Sequence, residues 1–394
     1  MRNHFLIIIM ILCLSCAGAR AATLGGYAAF SDAALIYSGM DEDGNPGIYR
    51  IDGQNGDIRE LYADNGYILG AVGECVAACV DIDGEISVII LDANATVLYT
   101  GEIDEFAAVE GEDSFYIGTD RLKIENGAVE RTRILTTADS GAVKPVAEYE
   151  DCLYYLDASE YADISAMETV ESVASLCRAD ISTGETRRIT PEGATLVGFE
   201  GDRIIYTLNE FYVYAGDDVE MIDNGRGLYA ADLNGENAVL LAGTGSYEDG
   251  FYDEYTMVRD GVIYGVRHDY LSDEPVPDMC IKRVTYQGVA LEDIPVDFGS
   301  LIDVRDGRAY MFVARYNERW ENIYDDITAV DLSDFSAESL LGSEYMRLNY
   351  YDEGPRVAVN ADSVCFTGVA RDGESLCLWT LARGGVPEAL ARLN

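Results

Sequence analysis

The sequence predicts an all-β chain folded as a single β-propeller of about eight four-stranded blades, with seven as the alternative count. Three observations predict it. The 394 residues hold 39 Gly and 27 Tyr but only 8 Pro, and 71 are Asp or Glu; such a mix reads as many short strands joined by tight turns. One unit recurs, an acidic or glycine turn followed by an aliphatic strand that carries an aromatic. Its turns, at 32, 73, 112, 151, 202, 260, 306 and 362, average about 47 residues apart, the period of a propeller blade. An apolar share of 48 % and a charged share of 25 % exclude a disordered chain, a coiled coil and a collagen-like rod.

The N-terminus comes first. Arg2 precedes the apolar run Phe5 to Cys16, followed by the small residues AGARAA at 17–22. Twelve apolar residues are too few to span a bilayer, which needs about 20, and they fit the core of a secretory leader. Cleavage after Ala21 gives a leader of 1–21 and a propeller of 22–394, secreted or at the cell surface. Leu14-Ser15-Cys16-Ala17 also fits a bacterial lipoprotein processing site, which would place a lipid anchor on Cys16. No later stretch approaches membrane length.

The repeated unit fills the rest, with blades starting near 25, 67, 106, 145, 195, 255, 300 and 355. Its first half appears as Asp32…Tyr37, Asp113…Tyr116, Asp151…Tyr154, Asp202…Tyr206, Asp260…Tyr264, Asp306…Tyr310 and Asp362…Phe366, with a weaker copy at Gly73-Glu74-Cys75. Asp and Gly accept tight-turn geometry, and the alternation after the turn should put the aromatic on one sheet face. The second half is a short apolar strand ending at an Asp and a turn, as in SLCRADISTGE (175–185), GLYAADLNGE (227–236) and DITAVDLSD (326–334), then a last strand such as TRRIT or AVLLAG. Each unit thus supplies four antiparallel strands. The third, about 107–140, is short and irregular.

The segments DCLYYLD…SLCRADISTGETRRIT (151–190) and DRIIYTL…GLYAADLNGENAVLLAG (202–243) resemble the repeat of bacterial secreted propellers related to the low-density-lipoprotein-receptor-type (YWTD-like) and TolB-type propellers. The strict Tyr-Trp-Thr-Asp tetrad is absent. The resemblance implies the fold and an extracytoplasmic binding or scaffolding role, and it carries over no catalytic residue.

Composition narrows the chemistry. A formal net charge of -44, with Lys123, Lys144 and Lys282 as the only lysines, repels phosphate backbones and anionic lipid, so a nucleic-acid partner is excluded. The two histidines are His4, in the leader, and His268, in GVRHDYLSD, which leaves no His cage for a metal and reads His268 as a loop residue beside Asp269. No phosphate loop GxxxxGK[ST], no GxGxxG and no GxSxG elbow is present. The sialidase box SxDxGxTW is also absent. Asp41, Asp43, Asn45 and Asp52 outline a calcium loop, but Pro46 sits where such a loop needs Gly, and these residues, like Asp81 and Asp83, read as turns. No cofactor and no metal are expected.

Without the leader seven cysteines remain: Cys75, Cys79, Cys152, Cys177, Cys280, Cys365 and Cys377. They lie in apolar runs without a CxxC and read as small buried residues. Cys152 with Cys177, on neighbouring strands, is a candidate disulfide.

The remaining signal is loop length. The second-to-third-strand loops of units 4–7 (158–175, 209–227, 268–279 and 316–326) and the connection 243–256 are long and lie on one face of the ring. The segment 162–175 fits a short helix. These loops carry Tyr161, Phe211, Tyr212, Tyr214, Tyr247, Phe251, Tyr252, Tyr270, Tyr316, Trp320 and Tyr324, interleaved with Asp217, Asp218, Glu248, Asp249, Asp253, Glu254 and Glu321. Such aromatics either bury area against a partner or pack the loops onto the ring. The expectation is a non-catalytic binding or scaffolding module that meets a protein or glycan partner at this aromatic, acidic rim. The alternatives are a glycoside-active enzyme using paired carboxylates at the channel mouth and a purely structural surface protein.

Overall fold

A computed structural model describes residues 26–31, 34–41, 43–52, 58–102, 108–135, 142–159, 173–215, 218–246, 249–270, 278–316, 322–341, 346–347, 356–359, 363–370, 375–382 and 387–393. The leader, the 162–175 helix but for its last three residues, Tyr161, Tyr247 and Trp320 lie outside them.

Every sheet is antiparallel, and among the described residues the strands sort into eight blades in chain order. The inner strands, from blade 1 to blade 8, are Ala28–Phe30, Gly66–Val72, Ala108–Glu110, Val143–Tyr149, Ala194–Glu200, Phe251–Arg259, Gly299–Arg305 and Val357–Val359. Each pairs with a second strand, then a third and a fourth, moving outward. Blade 5 carries an added hairpin, Phe211–Ala215 with Asp218–Ile222, between its second and third strands. The all-β propeller expected from the period is therefore the observed fold.

Local chemistry explains the turns. Asp260-Gly261 and Asp306-Gly307 close first hairpins with positive φ at both residues (50° and 74°, 51° and 72°), the geometry that matches strand twist and that Asp and Gly tolerate. The repeated Asp after the third strand works through its side chain. Asp92 Oδ1 accepts the N–H groups of Asn94 and Thr96, both at 2.8 Å. Asp180 accepts those of Ser182 and Thr183 at 2.9 and 2.8 Å, and Asp232 those of Asn234 and Glu236 at 3.0 and 2.8 Å. At Asp92 and Asp180 the bonds favour the ionised carboxylate; the Ser182 hydroxyl first, then the Thr183 amide, hold Asp180 down at about 2.

The core is divided among the seams. Eight apolar clusters are present, one for each pair of adjacent blades, including the pair 8 and 1. A blade buries both faces, so its strands read as continuous apolar runs rather than clean alternations. Among the described residues, blades 8 and 1 share one backbone bridge, Met40 to Arg392. No described strand is exchanged between them, and their seam closes through Tyr37, Tyr49, Leu378 and Leu393.

Two expectations need correction. The repeated aromatic does not hold one sheet face. Tyr116, Tyr154, Tyr264 and Tyr310 stand third in their strands and pack toward the following blade. Tyr37, Tyr206 and Phe366 stand fourth and pack toward the preceding one. Side chains alternate along a strand, so a one-residue shift in turn length reverses the face. The proposed Cys152–Cys177 disulfide is absent: neither sulfur is in a disulfide. Cys152 pairs with Asp180 and Cys177 with Tyr155, an odd offset that puts them on opposite faces of blade 4, in different clusters. None of the seven described cysteines is in a disulfide, and five are buried.

Candidate functional site

The inner strands build the site. In blades 2, 4, 5, 6 and 7 the pairing register slips by one residue, at Leu69, Val146, Val197, Thr256 and Ile302. A bulge of this kind bends the strand and re-aims the side chains beyond it. The residues at and after the bulges of blades 4, 5 and 6, together with Val109 to Glu112 of blade 3, line a cavity of about 530 Å³ at the first-turn end of the channel. Its walls come from the inner strands of blades 3 to 6.

One wall is acidic. Glu110, Glu112, Glu148, Glu150 and Asp151 face the cavity. Glu110 reaches across the seam to blade 2, where its Oε1 accepts the Ala71 N–H at 2.6 Å. A Cβ at Gly70 would overlap that oxygen, so the carboxyl would have to shift. Burial pushes the Glu110 carboxyl up to about 8, against the opposing effect of the Ala71 amide. Glu148 repeats the move one seam later: its Oε2 accepts the Glu112 N–H at 3.3 Å, over Gly111, whose Cβ would overlap it. Burial first, then Glu148, push the enclosed Tyr116 phenol well up.

The other wall is aromatic and apolar. Tyr149 stacks on Phe199 with ring centres 4.3 Å apart and planes 2° apart. The Tyr149 hydroxyl donates to the Gly201 carbonyl at 2.8 Å. Val258 fills the space that Gly198 leaves open. Arg259, the one cation of the lining, is held to Asp303 of blade 7 at 3.2 Å. The cavity therefore combines several carboxylates, one anchored guanidinium and an aromatic shelf, which suits a cation attached to an apolar body.

The sequence-based candidates lie elsewhere. The long loops leave the ring at the opposite end of the strands from the first turns. Tyr212 and Tyr270 are exposed, each at 41 %. Phe211 is buried in the seam between blades 4 and 5. The Phe251 ring lies 4.3 Å beneath the Arg267 guanidinium. Tyr252 is enclosed enough for burial to push its phenol up to about 12. Tyr214, Tyr316 and Tyr324 sit on described strands with side chains outside the described set. Among the described residues the rim is mixed: Tyr212 and Tyr270 are exposed, while Phe211 is buried against the ring.

His268 stacks on Tyr270 and lies 4.0 Å from Glu254; burial lowers its pKa, against the pull of Glu254 and Asp253. Asp41 folds a turn, accepting the amides of Asp43 and Asn45 at 2.9 and 2.7 Å. Among the described residues no group of three His, Cys, Asp or Glu is arranged to hold a metal. Sequence reasoning passed over Glu110 and Glu148. The available signal was a glutamate inside each apolar inner strand and a glycine after the bulge of two others.

No protein-family model matches this chain, and neither does any curated protein. Solved structures do match. Oligopeptidase B from Trypanosoma brucei is 10 % identical over 94 % of this chain and 56 % of its own, with a TM-score of 0.50. A structure from a study of two prolyl endopeptidases is 12 % identical over 89 % and 53 %, at 0.49. The β-propeller domain of the Trilobed protease from Pyrococcus furiosus is 10 % identical over 95 % of both chains, at 0.44. The chain thus spans a little over half the length of the first two. At such identity the likeness concerns the fold. The expectation of a non-catalytic module working through a loop-face rim does not stand: oligopeptidase B, the neighbour matched at a TM-score of 0.50, is a peptidase.

Proposed function

We propose that this chain is a peptidase-associated β-propeller whose acidic channel mouth receives cationic peptide segments destined for a peptide-cleaving unit. The observation that carries the reading is the cavity of about 530 Å³ whose lining combines Glu112, Glu150 and Asp151 with the stacked Tyr149 and Phe199. Carboxylates at a concave, partly apolar mouth concentrate the field and attract cations. An aromatic shelf suits the alkyl stems of Lys and Arg. The net charge of -44 adds long-range attraction for a basic segment. Likeness to the propeller of oligopeptidase B supports the link to peptide hydrolysis. The reading includes an extracytoplasmic location, resting on the 1–21 leader, and descent shared with YWTD-like and TolB-type propellers, resting on the repeats.

The test is fluorescence anisotropy with two labelled hexapeptides, identical except that one carries two arginines where the other carries two glutamates. The basic peptide should bind at least about tenfold more tightly, lose affinity as salt screens the mouth, and bind more weakly to a Glu112→Gln/Glu150→Gln variant. Equal binding of both peptides, or a variant that binds as well as the parent, would sink the reading.

A further inference from the structure

The fourth strand of each blade lies at the outside of the ring, with one edge turned away from the third strand. Such an edge offers N–H and C=O groups to any extended chain, and proteins guard it with charge or proline. Glu60, Glu102, Glu130, Arg188, Glu338 and Glu388 guard six of the outer strands, and Pro295 guards a seventh. The outer strand of blade 5, Val239–Ala242, holds neither charge nor proline. The whole stretch 237–247 is uncharged. The edge is also apolar and exposed: Val239 and Leu240 are 53 % and 54 % exposed. They stand opposite Ala230 and Tyr229, so they flank the strand on its two faces. The 286–289 turn of blade 6 sits beside this strand. A Cβ at Gly288 would lie 3.5 Å from the Leu241 carbonyl oxygen, and Tyr286 and Val289 of the turn are 39 % and 58 % exposed. The segment 284–291 holds no charge either.

We propose that Val239–Ala242 is a self-association edge, to which a second copy of this chain adds its own Val239–Ala242 antiparallel across a two-fold axis. The occupant follows from charge. In an isologous contact the same patch faces itself, so a net charge on it would meet the same charge. A chain of net charge -44 repels a second copy over most of its surface. The uncharged strand and turn let two copies touch without opposing carboxylates at the contact. A basic partner would be met by carboxylates, and this edge presents none. Antiparallel pairing sets Val239 opposite Ala242 and Leu240 opposite Leu241 of the second copy, and it joins two four-stranded blades into one sheet of eight. The proposal goes beyond the peptide reading and does not depend on what the cavity receives.

Sedimentation velocity on the full chain tests this. The parent should pass reversibly from monomer to dimer as its concentration rises toward about 100 µM, the range of a small interface. Salt should strengthen the dimer, because it screens the repulsion between two acidic copies, whereas it weakens the binding of a basic peptide at the cavity. Leu240→Lys should weaken the dimer about tenfold or more, since a lysine on an edge strand blocks pairing. Ile58→Lys, on the guarded edge of blade 1, should leave it unchanged. Hydrogen exchange over 239–242 in the parent should slow on passing from monomer to dimer, and exchange over 58–62 should not; this readout needs no variant to fold. A parent that stays monomeric at both low and high salt overturns the proposal and leaves the edge to another occupant, such as an extended peptide strand. A dimer that salt dissociates, that Leu240→Lys leaves intact, or that forms without slower exchange at 239–242 overturns it as well.

Discussion

Arg267 clamps Asp253 through two short hydrogen bonds, Nε to Oδ1 at 2.6 Å and a terminal nitrogen to Oδ2 at 2.7 Å, while Asp253 is only 2 % exposed. The two residues face each other across the first hairpin of blade 6, and Phe251 covers the guanidinium. Two parallel bonds match the planar fork of arginine and fix its plane as well as its position. Removing one partner of an enclosed pair strands the other charge, which typically costs about 3 kcal/mol or more. Asp253→Ala should therefore lower the stability measured by chemical unfolding by that amount. Glu236→Ala should change it by less than about 1 kcal/mol, because Glu236 and Arg187, 2.8 Å apart, are both more than half exposed. A small effect of Asp253→Ala would show that water replaces the clamp.

Glu110 gives a stability prediction with a definite sign. Its folded pKa, about 8, lies above the ordinary carboxylate value because the group is enclosed. A raised acid favours the folded chain where it is protonated. The contribution is complete below about pH 4.5 and falls away as pH rises toward 8, by at most about 1.4 kcal/mol per unit. Glu110→Gln removes this dependence but keeps an acceptor for Ala71. The melting temperature of the variant should thus gain on that of the parent from pH 5 to pH 8. Parallel curves would place the carboxyl in water.

Reduction is the third test. The described cysteines form no disulfide, and burial pushes the Cys79 thiol up to about 12, so it carries little thiolate at neutral pH. Dithiothreitol should leave the melting temperature unchanged, and Ellman's reagent should react with these thiols only after denaturation or slowly. A drop of several degrees on reduction would reveal a structural disulfide.

The N-terminus is settled by the intact mass of the chain after expression with secretion. Cleavage after Ala21 predicts a mature chain starting at Ala22, and the lipoprotein alternative predicts a diacylated Cys16. A retained Met1 would remove the leader reading, and with it the extracytoplasmic location.

The fold was legible because its signals are local. A turn Asp such as Asp180 binds amides two and three residues ahead, so it recurs visibly with every blade. The face of each aromatic was less legible, since it depends on turn length to a single residue. The site was hidden for a different reason. Glu110 meets Ala71, 39 positions earlier, and nothing in either segment names its partner. The bulge at Leu69 that exposes the Ala71 amide leaves no mark in composition. Loop length and exposed tyrosines drew attention to the opposite face, where Phe211 and Tyr252 turn inward.

The reversed aromatics make the last prediction. Tyr154 points forward from blade 4 and Tyr206 points back from blade 5, and both enter the cluster between those blades, with exposures of 1 % and 3 %. Phe199 lies between the two strands, with its ring edge-on to Tyr154 at 4.8 Å. Replacing either tyrosine by alanine removes a large buried side chain and should cost roughly 3 kcal/mol or more. Residues that share a cavity relax together, so the double variant should depart from additivity by about 0.5–3 kcal/mol. Tyr310 belongs to the seam between blades 7 and 8 and shares no neighbour with Tyr154. A Tyr154→Ala/Tyr310→Ala pair should add within about 0.5 kcal/mol. Chemical unfolding of the five variants measures both couplings. Equal coupling in the two pairs would mean that the aromatics do not sort by seam, and the third-or-fourth-position rule would fail with it.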